Sequence, residues 1–205
     1  MIAVVDYGSG NLHSIGSAFY MIGADVVVTN KPEDLCEASH IVLPGVGAFG
    51  ICMEKLIASG IIQSLVEEVF EKGKPFYGIC VGMQVLAREG HEFGMNCGLD
   101  WLKGIVRKFD VDEKEYKIPH VGWNDIWVSR ETPLLKDLGK DKTFYFMHSY
   151  HFVADDANLV VANCEYGETF SAAIQYDNIF ATQFHPEKSQ KNGLKLLENF
   201  LNWKP

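Results

Sequence analysis

Alternation of short β-branched runs with helical patterns in the first half is the feature that most constrains the fold. Strand-like runs occupy 2–5, 26–28, 41–43 and 75–79, and helical patterns lie near 12–22 and in the long stretch that ends at about residue 72. Such alternation predicts a largely parallel sheet covered by helices on both faces. Ligands of these folds gather beyond the carboxyl ends of the strands. We therefore expect functional groups in the loops at 6–11, 44–50 and 79–84.

The second half has a different pattern. After about residue 98, β-like runs follow one another closely, with Gly, Asp and Asn turn signals between them, at 101–110, 116–128, 143–153, 159–164, 170–176 and 179–184. We expect them to form antiparallel hairpins that extend the sheet, and the amphipathic stretch Lys191 to Trp203 to form a closing helix. The predicted fold is α/β, with a three-layer, mostly parallel central sheet flanked by helices. No linker or repeat interrupts it, so we expect one domain over residues 1–205.

Charge and cysteine usage exclude several classes of function. The formal net charge of −9 disfavours nucleic-acid binding, which relies on basic patches that neutralise phosphates. The N-terminal segment lacks a signal-peptide pattern, and no apolar run approaches the roughly 20 residues that a membrane span needs, so we expect a cytoplasmic protein. Five cysteines without a Cys-x-x-Cys pair indicate reduced thiols, with neither a disulfide framework nor a metal site.

Cys80 is the cysteine with unusual neighbours. In PFYGICVGMQ a buried-looking strand runs into Gly78, Cys80 and Gly82, and a helical pattern follows. A nucleophile elbow places its nucleophile at such a strand-to-helix turn, where small flanking residues are needed, and the helix N-terminus favours a thiolate. The alternative is a cysteine that only fills the core, which is the commonest fate of a free cysteine.

A second motif, QFHPEKS at 183–189, supplies a candidate base. Pro186 favours an extended conformation for His185, and residues 185 and 187 of an extended segment project to the same side. Glu187 could then orient the imidazole so that its other nitrogen takes a proton from Cys80. An isolated His-Pro-Glu could equally be a loop histidine beside a solvated glutamate. The pairing with Gly-x-Cys-x-Gly favours a Cys80, His185 and Glu187 triad.

The order and spacing of six segments resemble one family. GICVGMQ and FHPEKS resemble the catalytic core of the class I glutamine amidotransferases, and four further segments resemble the glutaminase subunits of imidazole glycerol phosphate synthases within that class, namely DYGSGN, PGVGAFG, PHVGWND and FYFMHSY. The likeness covers essentially the whole chain. Two mild departures are Val81, where leucine is commoner, and Val121, where methionine is commoner.

The resemblance implies roles for further residues. Backbone N–H groups of Val46 or Gly47, with that of Val81, would stabilise the oxyanion, and Gln84, Glu92, Ser149 and Tyr150 would bind glutamine. No metal and no organic cofactor is implied. The implied partner is a (βα)₈-barrel cyclase subunit of histidine biosynthesis, which would receive ammonia within a heterodimer. The implied interface positions are Asn11, Trp123, Asn124, Tyr145 and Lys188.

Other functions remain open from the sequence. The chain could feed ammonia to a related barrel partner that amidinates a sugar in surface-polysaccharide synthesis. A thiol hydrolase such as a γ-glutamyl peptidase would be active without a partner. A catalytically silent binding subunit would have a Cys80 no more reactive than an ordinary thiol.

Overall fold

The computed structural model describes residues 1–205 and contains a central nine-stranded sheet. From one edge to the other its strands are β2 (Val26–Thr29), β1 (Ile2–Val5), β3 (His40–Gly45), β4 (Phe76–Cys80), β13 (Ile179–Thr182), β12 (Thr169–Tyr176), β11 (Val160–Glu165), β8 (His120–Val128) and β9 (Thr143–His148). The pairs among β2, β1, β3, β4 and β13 are parallel, and the remaining pairs are antiparallel. The predicted α/β class, a parallel sheet with antiparallel additions, is confirmed.

Helices flank this sheet. They are α1 (Leu12–Met21), α2 (Pro32–Glu37), α3 (Phe49–Ala58), α4 (Ile62–Val66), α5 (Val81–Gln84) and α6 (Gln190–Leu201). The helical stretch predicted to end near residue 72 is broken after Ser59, because Gly60 adopts φ +71°. Helix α4 then continues into a π-helical turn, Glu67–Glu71. No single helix is long and apolar enough to cross a membrane, and α3 with the following helix passes that test only as a pair bent by 95°.

A second, four-stranded sheet lies beside the first. Its order is β10 (Tyr150–Ala154), β7 (Gly104–Lys108), β5 (Glu89–Gly90) and β6 (Asn96–Cys97). The run at 143–153, expected to be one strand, is divided at Ser149 into β9 and β10, which belong to different sheets. Not every hairpin therefore extends the central sheet, and the chain passes from the central sheet to the second sheet at Ser149.

The hydrophobic core occupies the space between the central sheet and its helices. Strands β1 and β4 are buried along their whole length, as expected for parallel strands covered on both faces. The Tyr77 ring packs against the rings of Phe180 and Phe200, which joins β4 and β13 to α6. This packing fixes the carboxyl ends of β4 and β13 relative to each other, and the predicted nucleophile and base lie there.

Candidate active site

The chain turns sharply from β4 into α5 at Cys80. This residue has φ +56° and ψ −111°, a backbone conformation that residues other than glycine rarely adopt. Its glycine neighbours are needed, since a Cβ on Gly78 would lie 2.7 Å from the Gly82 carbonyl oxygen. On the adjoining strand, Gly45 is the register partner of Cys80. The local geometry is that of a strained nucleophile elbow, which projects the thiol beyond the end of the sheet.

His185 and Glu187 lie just beyond the neighbouring strand β13. The Nδ1 atom of His185 is 2.9 Å from Glu187 Oε1, and both side chains are almost completely buried. A carboxylate only accepts, so Nδ1 carries the proton and Nε2 of the neutral ring is free to accept one. The backbone holds this arrangement, because His185 N donates to Tyr145 O at 2.9 Å and Ser189 Oγ donates to His185 O at 2.6 Å.

The electrostatic environment of His185 favours its protonated form. Burial works against protonation, but the charge of Cys80 and the carboxylate of Glu187 outweigh it and raise the pKa of His185 to about 10. The imidazole Nε2 makes no hydrogen bond within the protein. Cys80 and His185 line the same cavity, which places the imidazole on the same side as the thiol.

A cavity of about 170 Å³ opens over the Cys80 side chain. Every residue predicted to act as nucleophile, base, oxyanion donor or glutamine ligand lines it, and Glu187 lies behind His185 rather than in the wall. The lining residues are Val46, Gly47, Cys80, Val81, Gln84, Glu92, Pro119, Met147, His148, Ser149, Tyr150 and His185. Residues far apart in the sequence are therefore brought together at the carboxyl ends of β3, β4 and β13.

The loop that follows β3 is fastened by a serine that the sequence interpretation did not single out. Ser9 Oγ donates to Val46 O at 2.6 Å and accepts from Val46 N at 3.2 Å. The Cys52 thiol also donates to Val46 O at 3.6 Å, and burial raises the pKa of this thiol. The Val46 N–H is thus engaged by Ser9 in this conformation. In a trans peptide the Gly47 N–H points away from Val46 O, and hence away from Ser9.

Two of the predicted glutamine ligands make defined contacts. Gln84 Nε2 donates to Tyr150 O at 2.8 Å and to Gln183 Oε1 at 3.0 Å, which leaves the Gln84 carbonyl oxygen without a partner in the protein. Glu92 Oε2 accepts from Phe49 N at 2.8 Å, at the N-terminus of α3. Both side chains can offer an oxygen to the α-ammonium group of an amino acid in the cavity.

Next to the cavity, three buried histidines, His120, His148 and His151, surround the ring of Phe109, and we call them the histidine cluster. The tautomers of two members follow from their partners. His148 Nδ1 lies 2.9 Å from Tyr150 O and must donate, so His148 Nε2 accepts from His120 Nδ1 at 3.1 Å. Burial lowers the pKa of His120 and of His151 to about 4, and it lowers the pKa of His148 as well.

The predicted interface residues do not all lie together. Trp123 and Tyr145 are cross-strand partners with ring centroids 6.0 Å apart, and Lys188 Nζ lies 5.5 Å from the Tyr145 ring centroid. Val121 and Met147 form the next cross-strand pair, and Met147 also lines the cavity. We call Val121, Trp123, Tyr145 and Met147 the apolar patch; three of the four are exposed, and Tyr145 is half-buried.

The other two interface candidates have structural contacts of their own. Asn11 caps α1, its side chain accepting from Ser14 N at 3.4 Å, and α1 packs against the turn at 186–188. Asn124 Nδ2 donates to Glu165 O at 2.8 Å and lies 3.4 Å from His120 Nε2.

Gln183 is a second residue that the sequence interpretation missed. It is fully buried, and its Nε2 lies 3.7 Å from Cys80 Sγ. A signal was present, since Gln183 and His185 are two residues apart in an extended segment and therefore share a side.

Comparisons with known proteins agree with this geometry. Residues 3–203 match the family described as Glutamine amidotransferase class-I. A protein of Syntrophotalea carbinolica named imidazole glycerol phosphate synthase subunit HisH is 46% identical, with 98% of each chain covered. A protein of Zymomonas mobilis with the same name is 44% identical over 100% of this chain and 96% of its own.

Solved structures share the fold at lower sequence identity. One chain of the structure of PurLQS from Thermotoga maritima superposes with a TM-score of 0.73 at 21% identity, covering 98% of this chain and 97% of that one. The family match spans nearly the whole sequence, and it includes the elbow, the histidine and the glutamate that meet at the cavity. The chain therefore belongs to the class I glutamine amidotransferase family.

Proposed function

We propose that this chain is the glutaminase subunit of an imidazole glycerol phosphate synthase, releasing ammonia from glutamine for a cyclase subunit. The observation that carries the proposal is the convergence of Cys80, His185 and Glu187 at one cavity. Relatives 44–46% identical over nearly the full chain carry the name of that synthase subunit. The proposal includes a single domain over residues 1–205 and a cytoplasmic location, in keeping with five free cysteines.

The chemistry proceeds in two steps. The Cys80 thiolate attacks the side-chain carbonyl carbon of glutamine, a C–S bond forms, and the C–N bond breaks as His185 Nε2 gives its proton to the departing ammonia. Neutral His185 then takes a proton from water, which attacks the γ-glutamyl thioester and releases glutamate and the Cys80 thiolate. Glu187 keeps the imidazole in the required orientation throughout. This proposal assigns no step to a metal or an organic cofactor.

Glutamine binding is assigned to the opposite wall of the cavity. The free carbonyl oxygen of Gln84 and the carboxylate of Glu92 would bind the α-ammonium group, while Ser149 and Tyr150 would bind the carboxylate end. The oxyanion would be stabilised by the N–H of Gly47 or Val46 together with that of Val81. Because Ser9 engages the Val46 N–H, Gly47 is the donor available in this conformation, and use of Val46 would require the Ser9 contact to break.

Partner binding is assigned to the apolar patch. Exposed aromatic and aliphatic side chains that form a contiguous patch are typical of interfaces. Met147 belongs both to the patch and to the cavity wall, so a partner seated there would cover the cavity mouth and could receive ammonia directly. Lys188, which lies over the Tyr145 ring, would contribute a polar contact at its rim. Asn11 and Asn124 are proposed as interface positions on the family resemblance alone. A (βα)₈-barrel cyclase is the partner that we propose.

The alternatives can be separated by their partner requirement. The names of the relatives favour a histidine-pathway synthase over one that amidinates a sugar. A free-standing thiol hydrolase would need no partner, whereas an exposed patch at the cavity mouth favours a subunit of a complex. A silent binding subunit does not fit the orienting carboxylate, because Glu187 places a buried negative charge beside His185 that packing alone would not require.

The primary test measures glutamate release from glutamine by the purified chain, alone and with a histidine-pathway cyclase and its nucleotide substrate. We expect strong stimulation by the cyclase and its substrate together, and loss of turnover in Cys80→Ala. Cys164→Ala is the matched control, since Cys164 is also a buried thiol but lies on β11 away from the cavity. Full activity without a partner would favour the hydrolase, and silence with this cyclase would favour a different acceptor.

A separate experiment tests the patch. We expect Trp123→Ala to weaken cyclase binding at least tenfold, in the range typical of interface hot spots, when the dissociation constant is measured by calorimetry. Trp127→Ala is the control, because Trp127 is similarly exposed on the same strand. Its cross-strand partner is Asn163 of β11, whereas the partner of Trp123 is Tyr145 of β9. Equal effects of the two substitutions would contradict the assignment of the patch.

A further inference from the structure

We propose that Gln183 is a catalytic residue of the proposed glutaminase, whose side-chain amide donates a hydrogen bond to the Cys80 sulfur and favours its thiolate. The inference rests on the proposed function. It concerns a residue outside the triad, the oxyanion donors and the glutamine ligands assigned above. Its basis is the position of Gln183, the orientation of its amide and the burial of both side chains.

The position of Gln183 follows from the sheet. Strands β4 and β13 are parallel neighbours, with Ile79 paired to Thr182 at their carboxyl ends. Continuing the register by one residue places Gln183 opposite Cys80, and the Gln183 backbone N–H is fixed by donation to Ala172 O at 2.9 Å. The side chain spans the short gap, with Nε2 lying 3.7 Å from Cys80 Sγ. This separation suits a hydrogen bond to sulfur, which is a larger acceptor than oxygen.

The orientation of the Gln183 amide is determined by a chain of connected hydrogen bonds. The backbone oxygen Tyr150 O can only accept, so the Gln84 atom 2.8 Å from it must be the amide nitrogen. The same nitrogen lies 3.0 Å from Gln183, which must present its carbonyl oxygen. The Gln183 NH₂ group is therefore the end that faces Cys80 Sγ. His148 Nδ1 donates to Tyr150 O as well, which fixes the position of this acceptor at the end of the chain of hydrogen bonds.

Burial strengthens the effect of this hydrogen bond on the Cys80 sulfur. Gln183 has no exposed surface, and Cys80 is 4% exposed, so water competes little for the sulfur on this side. The titratable groups that influence the sulfur are His185 with its partner Glu187, Tyr7 and Cys52. His185 is the base that must move a proton during turnover, whereas the Gln183 amide cannot titrate. It therefore offers a donor to the thiolate that persists after His185 has given up its proton.

The test is the rate at which iodoacetamide alkylates Cys80 in the full-length chain, followed by mass spectrometry, with exposed Cys36 as an internal reference. Met has nearly the length of Gln and no donor. We expect Gln183→Met to slow alkylation of Cys80 about tenfold at neutral pH, the lower end of what a hydrogen bond to a charged group contributes. At a pH high enough for both chains to carry the Cys80 thiolate, the two rates should converge, because the thiolate then forms without the amide. Gln175→Met, the same substitution on β12, should leave the rate unchanged.

Two further measurements show whether slower alkylation results from the lost hydrogen bond or from a disturbed core. Buried Cys52 and Cys164 must remain unlabelled, which shows that the core is closed. If Gln183→Met exposes them, Gln84→Met decides instead, since it removes the donor that orients Gln183 and should slow Cys80 alkylation about threefold. An unchanged rate at neutral pH in an intact variant, or an equal slowing at every pH, overturns the proposal. Alkylation needs no glutamine, so absence of glutaminase activity would count against the proposed function and leave this test intact.

Discussion

Replacing Gly45 by alanine should damage both stability and turnover, because Gly45 is packed against the elbow. A Cβ at this position would lie 2.7 Å from Gly82 N and 2.9 Å from both Tyr7 Oη and Val81 Cβ. Real Cβ atoms essentially never approach closer than 3.0 Å, so the Gly82 backbone would have to yield by at least about 0.3 Å and the Tyr7 and Val81 side chains by at least about 0.1 Å. None of these neighbours is the free end of a flexible chain, which makes the displacement costly.

The size of the effect follows from two opposing contributions. Overpacking a well-packed core costs about 1–3 kcal/mol. The reduced entropy of the unfolded chain on Gly→Ala offsets about 0.4–1 kcal/mol of that. The net loss of about 1–2 kcal/mol should lower Tm by about 2–8 °C in a chain of this length. A shift of a few tenths of an ångström between the loop at 46–47 and Cys80 should lower kcat by about tenfold, given that roughly 1 Å can cost a hundredfold.

Thermal unfolding and steady-state glutamate release measure the two consequences. Gly16→Ala in α1 is the matched control, since its nearest neighbour would be 3.9 Å away and alanine suits a helix interior. That control should be stabilised by about 0.5–1 kcal/mol with unchanged kcat. If Gly45→Ala were as stable and as active as the wild type while Gly16→Ala behaved as expected, the view that tight packing fixes the elbow would be refuted.

The charged and titratable groups of the site should determine how turnover and stability respond to substitution and to pH. Glu187→Gln presents an amide to His185 Nδ1, which permits the wrong tautomer, so kcat should fall about 10³- to 10⁴-fold with KM little changed; a loss below tenfold in steady-state assays would contradict the orienting role. The pKa of His185, raised to about 10, exceeds the ordinary value of about 6.5, so its protonation stabilises the fold below about pH 6.5 and this contribution disappears towards pH 10. Urea unfolding should show that loss in the wild type and less of it in Cys80→Ala, and identical pH profiles would count against a contribution of Cys80 to the raised pKa of His185. The histidine cluster has lowered pKa values, so its neutral form stabilises the fold above about pH 6.5 and the stability is lost as the pH falls towards 4. His151→Phe should lose less stability than the wild type between about pH 6.5 and pH 4, and an unchanged loss would exclude His151 as a contributor.

Much of the fold was predictable because local patterns and tertiary packing agree. The helix expected near 12–22 is Leu12–Met21, and the strands expected at 26–28, 41–43 and 75–79 are all present within a few residues. The division of 143–153 at Ser149 was not predictable, since β-branched and aromatic residues continue across it and only the pairing partners distinguish the two strands. The short helix Pro32–Glu37 has too few residues to give a clear helical period.

The candidate site was predictable to a different extent. Cys80, His185 and Glu187 were found because each needs a special local sequence, glycines around a tight turn or a proline beside a histidine. Gln183 and Ser9 were missed because their importance lies in contacts across the sheet, 103 and 37 residues away in sequence. The spacing of Gln183 and His185 indicates that they share a side of an extended segment, but nothing in the sequence around Gln183 indicates a sulfur neighbour. The roles of all these residues in turnover remain proposals that the variants above test.

The attachment of His185 to the edge of the sheet bears on how such a chain can diverge. Main-chain atoms of Tyr145 accept from His185 N and donate to Ser189 Oγ, while the Tyr145 side chain belongs to the apolar patch. Substitution of that side chain leaves the two main-chain bonds available. Mutations can therefore reshape the apolar patch in small steps without moving His185. A single ancestral glutaminase could in this way be recruited to several synthases, each with its own acceptor chemistry, while its hydrolytic machinery stayed constant.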